Sequence, residues 1–290
     1  MNSNNRCSVN KQTAQIKKVL ENLYARYNHR HLIKPDPLQF VYKYSNPEDM
    51  EIAGFLASVL AYGRVQQIEK SVSGLLKLMG NNPFNFVQNF DNKKRGKIKG
   101  FRHRFTTGDD ISNLLDLLSD VLIEFGSIEN FFIQGYSPDD KNVIAALSRF
   151  CNCLLNRYAE THSGNIPKGL SYLLARPALG SACKRLNLFL RWMVRKDDVD
   201  SGLWKSIDKS RLIVPIDVHM NRLCRILGFH NRKTASLSTA IQITESFANI
   251  EPSDPVRYDF ALSRIGILEN CNGNFRPECK DCALIGFCAR

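Results

Sequence analysis

The chain has 290 residues, of which 43% are hydrophobic and 23% charged; this composition is that of a folded globular protein and excludes a mainly disordered one. Its longest apolar stretches fall short of the roughly 18 to 20 residues that a membrane span needs, and its first residues hold no signal-peptide core. We therefore expect a cytoplasmic protein without a membrane partner. Forty Lys and Arg against 28 Asp and Glu give a net charge of +12, which favours a polyanionic partner such as nucleic acid.

Apolar residues recur at helical spacing along most of the chain, and we find neither a convincing strand-like alternation nor an internal repeat. Glycine and proline mark turns near 80–83, 126, 135–138 and 162–167. The spacing predicts amphipathic helices around 16–27, 52–60, 65–76, 114–122 and 143–155. The sequence therefore predicts an all-α fold.

A basic segment at 93–105, with the sequence KKRGKIKGFRHRF, carries seven Lys or Arg and no acidic residue. Phe101 and Phe105 bracket the end of this segment. Cationic side chains interleaved with aromatic rings suit a phosphate backbone and exposed bases. The alternative is a solvated loop whose two rings dock onto the body of the protein, and composition alone leaves both interpretations open.

Four of the nine cysteines lie within the last 20 residues, in the pattern Cys271-x7-Cys279-x2-Cys282-x5-Cys288. A chain without an export signal is not expected to build a disulfide framework. Four thiolates on one short loop suit either a [4Fe–4S] cluster or tetrahedral zinc. We predict the cluster, because zinc ribbons usually pair two CxxC units and this loop has one; zinc is the alternative cofactor.

Two helices are predicted on either side of a glycine turn. Residues 168–174 form the first, which ends before Pro177 because proline disfavours helix at the preceding residue. Gly180 and Ser181 open the second, with Ser181 as its N-cap. Free backbone amides at the start of such a helix are a ready anion site. One face of this helix is apolar, and the opposite face carries Lys184, Asn187 and Arg191.

Asp217 falls at the predicted N-cap of a helix within residues 214–229, whose sequence is VPIDVHMNRLCRILGF and which stops at Gly228. The simpler interpretation is structural, because Asp is a favoured N-cap that contributes about 0.5–2 kcal/mol. Helix-terminal amides also keep such a carboxylate ionised. A rigid anion is what a reaction that builds positive charge on a sugar needs.

Taken in order, these features resemble the helix–hairpin–helix DNA glycosylases of the endonuclease III type. The resemblance is carried by Lys184-Arg-Leu-Asn187, by Pro215-Ile-Asp217-Val-His219, by the helical stretch SDPVRYDFALSRIGI and by the four C-terminal cysteines. It covers residues 168–290 closely and 47–80 more weakly, and is absent over 81–165. The chain also resembles one branch of this superfamily, which has a stretch close to GSACKRLNLFLRWMVRK at 180–196.

The resemblance implies an all-α fold of two lobes with a C-terminal four-cysteine cluster loop. Residues 47–209 would form a helical barrel lobe that includes the helix–hairpin–helix at 168–195. Residues 1–46 would pack with a C-terminal lobe at 210–290, which holds the cluster loop at 271–288. DNA would be kinked across the cleft between the lobes, with the damaged base flipped into a pocket.

The implied function is a DNA-repair glycosylase with AP lyase activity, acting as a nucleoid-associated monomer on double-stranded DNA with base damage or abasic sites. Asp217 would stabilise the oxocarbenium-like sugar or activate the nucleophile. Lys184 would attack C1′, displace the base and form a Schiff base that leads to strand cleavage. The other expected DNA contacts are Gly180, Ser181, Arg185, Arg191, His219, Arg276 and Lys280.

The sequence departs from the family pattern at several positions. The turn holds Gly180 without a second glycine, Lys184 follows it by four residues instead of two, and Val218 replaces the usual Thr. The stretch between Lys184 and Asp217 is longer than usual, as is the first cysteine gap. Because a fold does not guarantee its chemistry, the alternative is a non-catalytic iron–sulfur protein that binds nucleic acid. A helical structural protein that only binds zinc is the third possibility.

Overall fold

The computed structural model describes the backbone of residues 3–269 and 271–288, and the side chains of residues 13–269 and 271–288. This part of the chain is mostly helical, which confirms the predicted all-α class. The helices are α1 (Ser3–Tyr27), α2 (Pro47–Val59), α3 (Val65–Met79), α4 (Pro83–Gln88), α5 (Asn92–Ile98), α6 (Gly108–Phe125), α7 (Ile128–Ile133), α8 (Ile144–Thr161), α9 (Lys168–Leu173), α10 (Lys184–Val194), α11 (Val218–Ile226), α12 (Leu237–Ala248) and α13 (Asp259–Ile267).

One short antiparallel hairpin interrupts the helices, and the sequence did not predict it. Strand β1 (Arg102–His103) pairs with β2 (Thr106–Thr107) inside the basic segment. Thr107 then caps α6 by accepting a hydrogen bond from the Asp110 amide, while the Asp110 carboxylate accepts one from the Thr107 amide. This capping box fixes where the hairpin ends and α6 begins.

Helix α10 passes through the middle of the core. Its residues from Arg185 to Val194 are all buried, and Phe189 packs edge-on against Phe55 of α2 with ring centroids 5.2 Å apart. The prediction of a polar face on this helix is therefore wrong beyond its first residue. Across the residues that the structure describes, none of the helices has the length and apolar character that crossing a membrane requires.

Helix α1 packs against α13, so the N-terminal segment lies with the C-terminal helices. The Tyr258 hydroxyl donates to Glu21 at 2.6 Å, and the Tyr27 hydroxyl donates to Glu269 at 2.6 Å. These contacts join residues that are far apart in the sequence. The exact boundaries of two lobes stay a prediction.

A buried ionic network explains how Arg191 of α10 and Arg195, the residue that follows this helix, lie inside the core. Arg191 is 2% exposed and pairs with Asp259 and, at 3.3 Å, with Asp200. Arg195 pairs with Asp200 at 2.7 Å and with Asp254 at 2.9 Å. The expectation that Arg191 contacts DNA is wrong, because its guanidinium is enclosed among carboxylates.

We expect the Arg191→Ala variant to lose about 3–5 kcal/mol of unfolding free energy, because it leaves Asp200 and Asp259 buried with one fewer positive partner. Chemical denaturation at neutral pH measures this loss. The matched control is Lys141→Ala, which removes an exposed ion pair with Glu245 and should cost less than about 1 kcal/mol. Equal losses in the two variants would contradict the structural role of the network.

Candidate functional site

Asp217 caps α11, as the sequence predicts. Its carboxylate accepts a hydrogen bond from the Met220 amide at 2.9 Å, and its backbone is extended. The helix stops before Gly228, which has a positive φ of 76° and provides the predicted C-terminal stop. The cap leaves the second oxygen of Asp217 available to a partner outside the helix.

Helix α10 starts two residues later than predicted. Cys183, with φ 45°, is its N-cap and makes no capping hydrogen bond through its side chain. Ser181 is therefore not the N-cap; its hydroxyl accepts from the Cys183 amide at 3.1 Å, and its backbone bridges to Ser236. The connection between α9 and α10, residues 174–183, is a long one that includes a 3₁₀ turn. The shift of the helix start places Lys184 at the first helical position.

Lys184 and Asp217 meet although they are distant in the sequence. The Lys184 Nζ lies 3.2 Å from Asp217 Oδ2, and each side chain is 33% exposed. Burial raises the pKa of Asp217, but the Lys184 ammonium, the Met220 amide and the nearby His219 outweigh it and hold the pKa below its ordinary value. Asp217 is therefore an anion at neutral pH, with Lys184 as its counter-ion.

The pair lies in the wall of a pocket of about 700 Å³, within the range of small-molecule sites. The pocket is formed by the α9–α10 connection, the starts of α10 and α11, and the residues that follow α2. Among the exposed large apolar side chains, Tyr172, Leu179 and Val218 line it. An apolar wall with one ion pair can hold a ligand that has both a flat apolar part and a polar part.

The other predicted DNA contacts lie in two separate places, some at the pocket and some on the cysteine loop. Ser181 and His219 line the same pocket as the ion pair, and Gly180 is exposed beside it with a positive φ of 79°. Arg276 and Lys280 lie on the cysteine loop, where Arg276 donates to the Glu269 carbonyl at 3.2 Å and Lys280 is exposed.

Arg185 does not offer its guanidinium to solvent, so the expectation that it contacts DNA is wrong. Its side chain donates to the Val59 carbonyl at 2.7 Å and to the Tyr172 carbonyl, and the residue is 8% exposed. Its guanidinium carbon lies 4.1 Å from the centre of the Tyr172 ring and 5.2 Å from that of Tyr62. Arg185 therefore supports two aromatic side chains of the pocket from behind.

Sequence reasoning missed this aromatic part of the site. Phe105, at the end of the basic segment, contacts both Tyr62 and Tyr172. The interleaved Arg and Phe residues were a signal for Phe105. Tyr62 follows α2 and Tyr172 lies in α9. Nothing in the sequence spacing of these two residues predicts that they meet.

The four cysteines of the C-terminal loop line a second pocket, of about 390 Å³. Backbone amides of Arg276 and Leu284 donate to the sulfurs of Cys279 and Cys282, each at 3.4 Å. Within residues 13–269 and 271–288, however, no three Cys, His, Asp or Glu side chains converge on one position for a metal ion.

The two roles of Asp217 can be separated by stability measurements. Asn is as good an N-cap as Asp, so Asp217→Asn should lose only the partly exposed ion pair, less than about 1 kcal/mol. Asp217→Ala also loses the cap and should cost about 0.5–2 kcal/mol more. Chemical denaturation of both variants checks this, and equal losses would contradict the capping role.

The contribution of the Asp217 ion pair to folding stability should be lost in acid. Because the folded pKa of Asp217 lies below its ordinary value, its ionic stabilisation is complete above about pH 4 and fades as the pH falls through the folded value. The difference between the native chain and Asp217→Asn should thus be constant from neutral pH to about pH 5 and shrink below about pH 4. A difference that persists in stronger acid would contradict the ion pair.

Comparison with known proteins identifies a family whose model matches most of the chain. The model of a family described as protein of unknown function (DUF2400) matches residues 36–268. No curated protein matches the chain, and no solved structure does. The matched region includes Lys184, Asp217 and the aromatic residues of the pocket, and ends before the first cysteine of the C-terminal loop. Since this match spans well over half of the chain, the protein belongs to the DUF2400 family.

Proposed function

We propose that this protein is a DNA glycosylase with AP lyase activity, acting on double-stranded DNA that contains a damaged base or an abasic site. The observation that carries the proposal is the ion pair of Lys184 and Asp217 in a pocket of about 700 Å³. An amine and a carboxylate beside a partly apolar pocket are the groups that base excision through a Schiff base requires. The net charge of +12 supports a polyanionic substrate.

Asp217 supplies the electrostatic part of the reaction. As the glycosidic bond lengthens, positive charge develops on the sugar, and an anion fixed beside it stabilises that transition state more than the ground state. The Met220 amide holds the carboxylate in place, so little reorganisation is needed. The target base must first leave the helix, which costs a few kcal/mol and least for a damaged or mispaired base.

Lys184 supplies the nucleophile, and its ion pair with Asp217 sets a condition on this role. An amine attacks only when it is neutral, and a carboxylate at 3.2 Å favours the ammonium. Lys184 must therefore separate from Asp217 and pass a proton to the departing base before its nitrogen can attack. The developing positive charge on the sugar provides the means, because it competes with Lys184 for Asp217 while the bound DNA excludes water.

Base excision and strand cleavage proceed through a covalent bond between Lys184 and the sugar. The neutral Lys184 nitrogen gives its electron pair to C1′, the bond from C1′ to the base breaks, and the base leaves with a proton. A proton then passes from the attached nitrogen to the ring oxygen as the bond from C1′ to that oxygen breaks, which leaves a protonated iminium between Lys184 and C1′. Loss of a C2′ proton then breaks the bond from C3′ to the phosphate oxygen and cuts the strand.

Borohydride trapping tests the role of Lys184, because the reagent reduces the iminium to a stable amine. We expect a covalent adduct between the native chain and DNA with an abasic site. Lys184→Arg should bind this DNA but form no adduct, because it keeps the positive charge and lacks a primary amine. The matched control is Lys168→Ala, which removes another lysine at the first position of a helix and should leave the adduct unchanged. An adduct of normal yield in Lys184→Arg would remove Lys184 from the mechanism.

We also propose that Cys271, Cys279, Cys282 and Cys288 hold a [4Fe–4S] cluster. The four thiols share one pocket, and four thiolates on one short loop are a ligand set that such a cluster takes. Backbone amides aimed at two of the sulfurs are the kind of hydrogen bond that tunes such clusters. A bound cluster would cross-link the loop, and no step at Lys184 or Asp217 requires it.

Metal analysis of anaerobically purified protein tests this assignment. We expect about four irons per chain and the broad visible absorption of thiolate-bound iron, both lost in Cys279→Ser. Cys153→Ser is the control, because Cys153 is a free, exposed cysteine of α8, and it should leave iron and colour unchanged. A colourless protein with one zinc would contradict the cluster.

The second candidate function is a non-catalytic iron–sulfur protein that binds nucleic acid. Two observations favour it: Lys184 is neutralised by Asp217, and the connection between α9 and α10 is long instead of a tight hairpin. Salt-dependent DNA binding without an adduct, and without release of a base from oxidised, alkylated or deaminated DNA, would support this candidate over the enzyme.

A further inference from the structure

Three aromatic rings meet at the mouth of the pocket, from three separate parts of the chain. The centroid of Phe105 lies 5.3 Å from that of Tyr62 and 4.6 Å from that of Tyr172, and the two tyrosines are 5.1 Å apart. Phe105 is 54% exposed and Tyr172 is 38% exposed. We call these three residues the aromatic cluster. An apolar ring left in water beside a pocket marks a contact surface for a ligand.

Hydrogen bonds and buried side chains support the aromatic cluster on its protein side, and its other side is exposed. The Tyr62 hydroxyl shares a hydrogen bond of 2.6 Å with Thr106 and donates to the His103 carbonyl at 3.1 Å. His103 is itself buried and packs edge-on against Tyr62 with centroids 4.5 Å apart. The buried Arg185 guanidinium lies behind both tyrosines. The hairpin that carries Phe105 is thus anchored to the pocket and is not a free loop.

Positive charges lead along the surface to the cluster. Arg102 and Arg104 of the hairpin are exposed, as are Lys97 and Lys99 just before it. The Arg104 side chain lies over Gly63, where an added Cβ would come within 2.8 Å of it, and Gly63 lines the pocket. Exposed cations beside a cluster of aromatic rings suit a nucleic-acid strand, which carries phosphates and bases side by side.

We propose that the aromatic cluster is a stacking subsite for an unpaired nucleobase, and that the exposed cations at 97–104 hold the phosphates of the same strand. The base would stack on the open face of Phe105, beside the pocket of Lys184 and Asp217. A paired base inside a duplex has no free face to offer, so the subsite selects an unpaired one. An apolar protein partner would leave these cations without counter-charges. The inference rests on nucleic acid being the ligand of this pocket, as proposed above.

The subsite predicts a preference for an unpaired base that depends on Phe105, whereas flipping a base into the pocket of Lys184 and Asp217 does not depend on that ring. The full-length chain should bind an oligonucleotide duplex with one bulged, unpaired base more tightly than the matched, fully paired duplex. A fluorescent adenine analogue at the bulge reports stacking directly, because its emission falls when it lies against an aromatic ring. Binding and emission are measured together in one titration, on DNA with no lesion to excise.

Phe105→Ala should weaken binding to the bulged duplex at least about fivefold, the lower end of the effect of losing one stacked base, and should abolish the fall in emission. Phe105→Tyr should keep both. Ile123→Ala is the matched control, because it removes an exposed apolar side chain of α6 that is 69% exposed, and it should change neither. Circular dichroism checks that all three variants keep the native helix content.

The outcomes separate this inference from the proposed enzyme activity. Unchanged affinity and emission in Phe105→Ala would overturn the stacking subsite, whatever the trapping experiment gives. An affected Phe105→Ala variant in a chain that forms no borohydride adduct would uphold the subsite and overturn the lyase. A native chain that binds the bulged duplex no more tightly than the paired one would overturn the subsite as well.

Discussion

The contact between Lys184 and Asp217 is the constraint on which the site depends, because it brings the starts of two helices together. Lys184 is the first residue of α10, and Asp217 caps α11. Each helix start carries partial positive charge from its free amides. Asp217 is thus the anion that balances one ammonium and two helix ends. A ligand that withdraws this carboxylate from Lys184 leaves the ammonium without its counter-ion.

The position of that pair is set deep in the core. Since α10 is buried from Arg185 onward, Lys184 cannot shift without moving the packed helix behind it. Arg191 and Arg195 tie the helix to acidic residues of α13 and of the segment that follows α10. Buried ion pairs add little net stability compared with apolar packing, but a partner left unpaired is costly. Such a network favours one register of α10 over others, and this register fixes the ammonium beside Asp217.

Local rules predicted some of these features and could not predict others. The helical periodicity and the N-cap at Asp217 follow from neighbouring residues, and both are present. Arg191 shows the limit: its spacing from Lys184 resembles a solvated face, because a buried arginine is recognisable only through partners such as Asp259, far along the chain. Phe105 shows the same limit for the pocket, since its contacts with Tyr62 and Tyr172 depend on how three distant segments pack. The cysteine spacing predicts a ligand set, and that set stays a prediction.

The cysteine loop and the pocket are physically connected, although the chemistry proposed for one does not need the other. Arg222 of α11 donates to the Cys271 carbonyl and lies 2.9 Å from His219 Nδ1, and His219 lines the pocket. Gly273 lets the loop close over this arginine, because a Cβ there would come within 2.7 Å of its side chain. The loop therefore supports the His219 side of the pocket, whereas Lys184 and Asp217 are held by α10 and by the α11 cap. Loss of the loop structure should therefore displace His219 before it displaces Lys184 or Asp217.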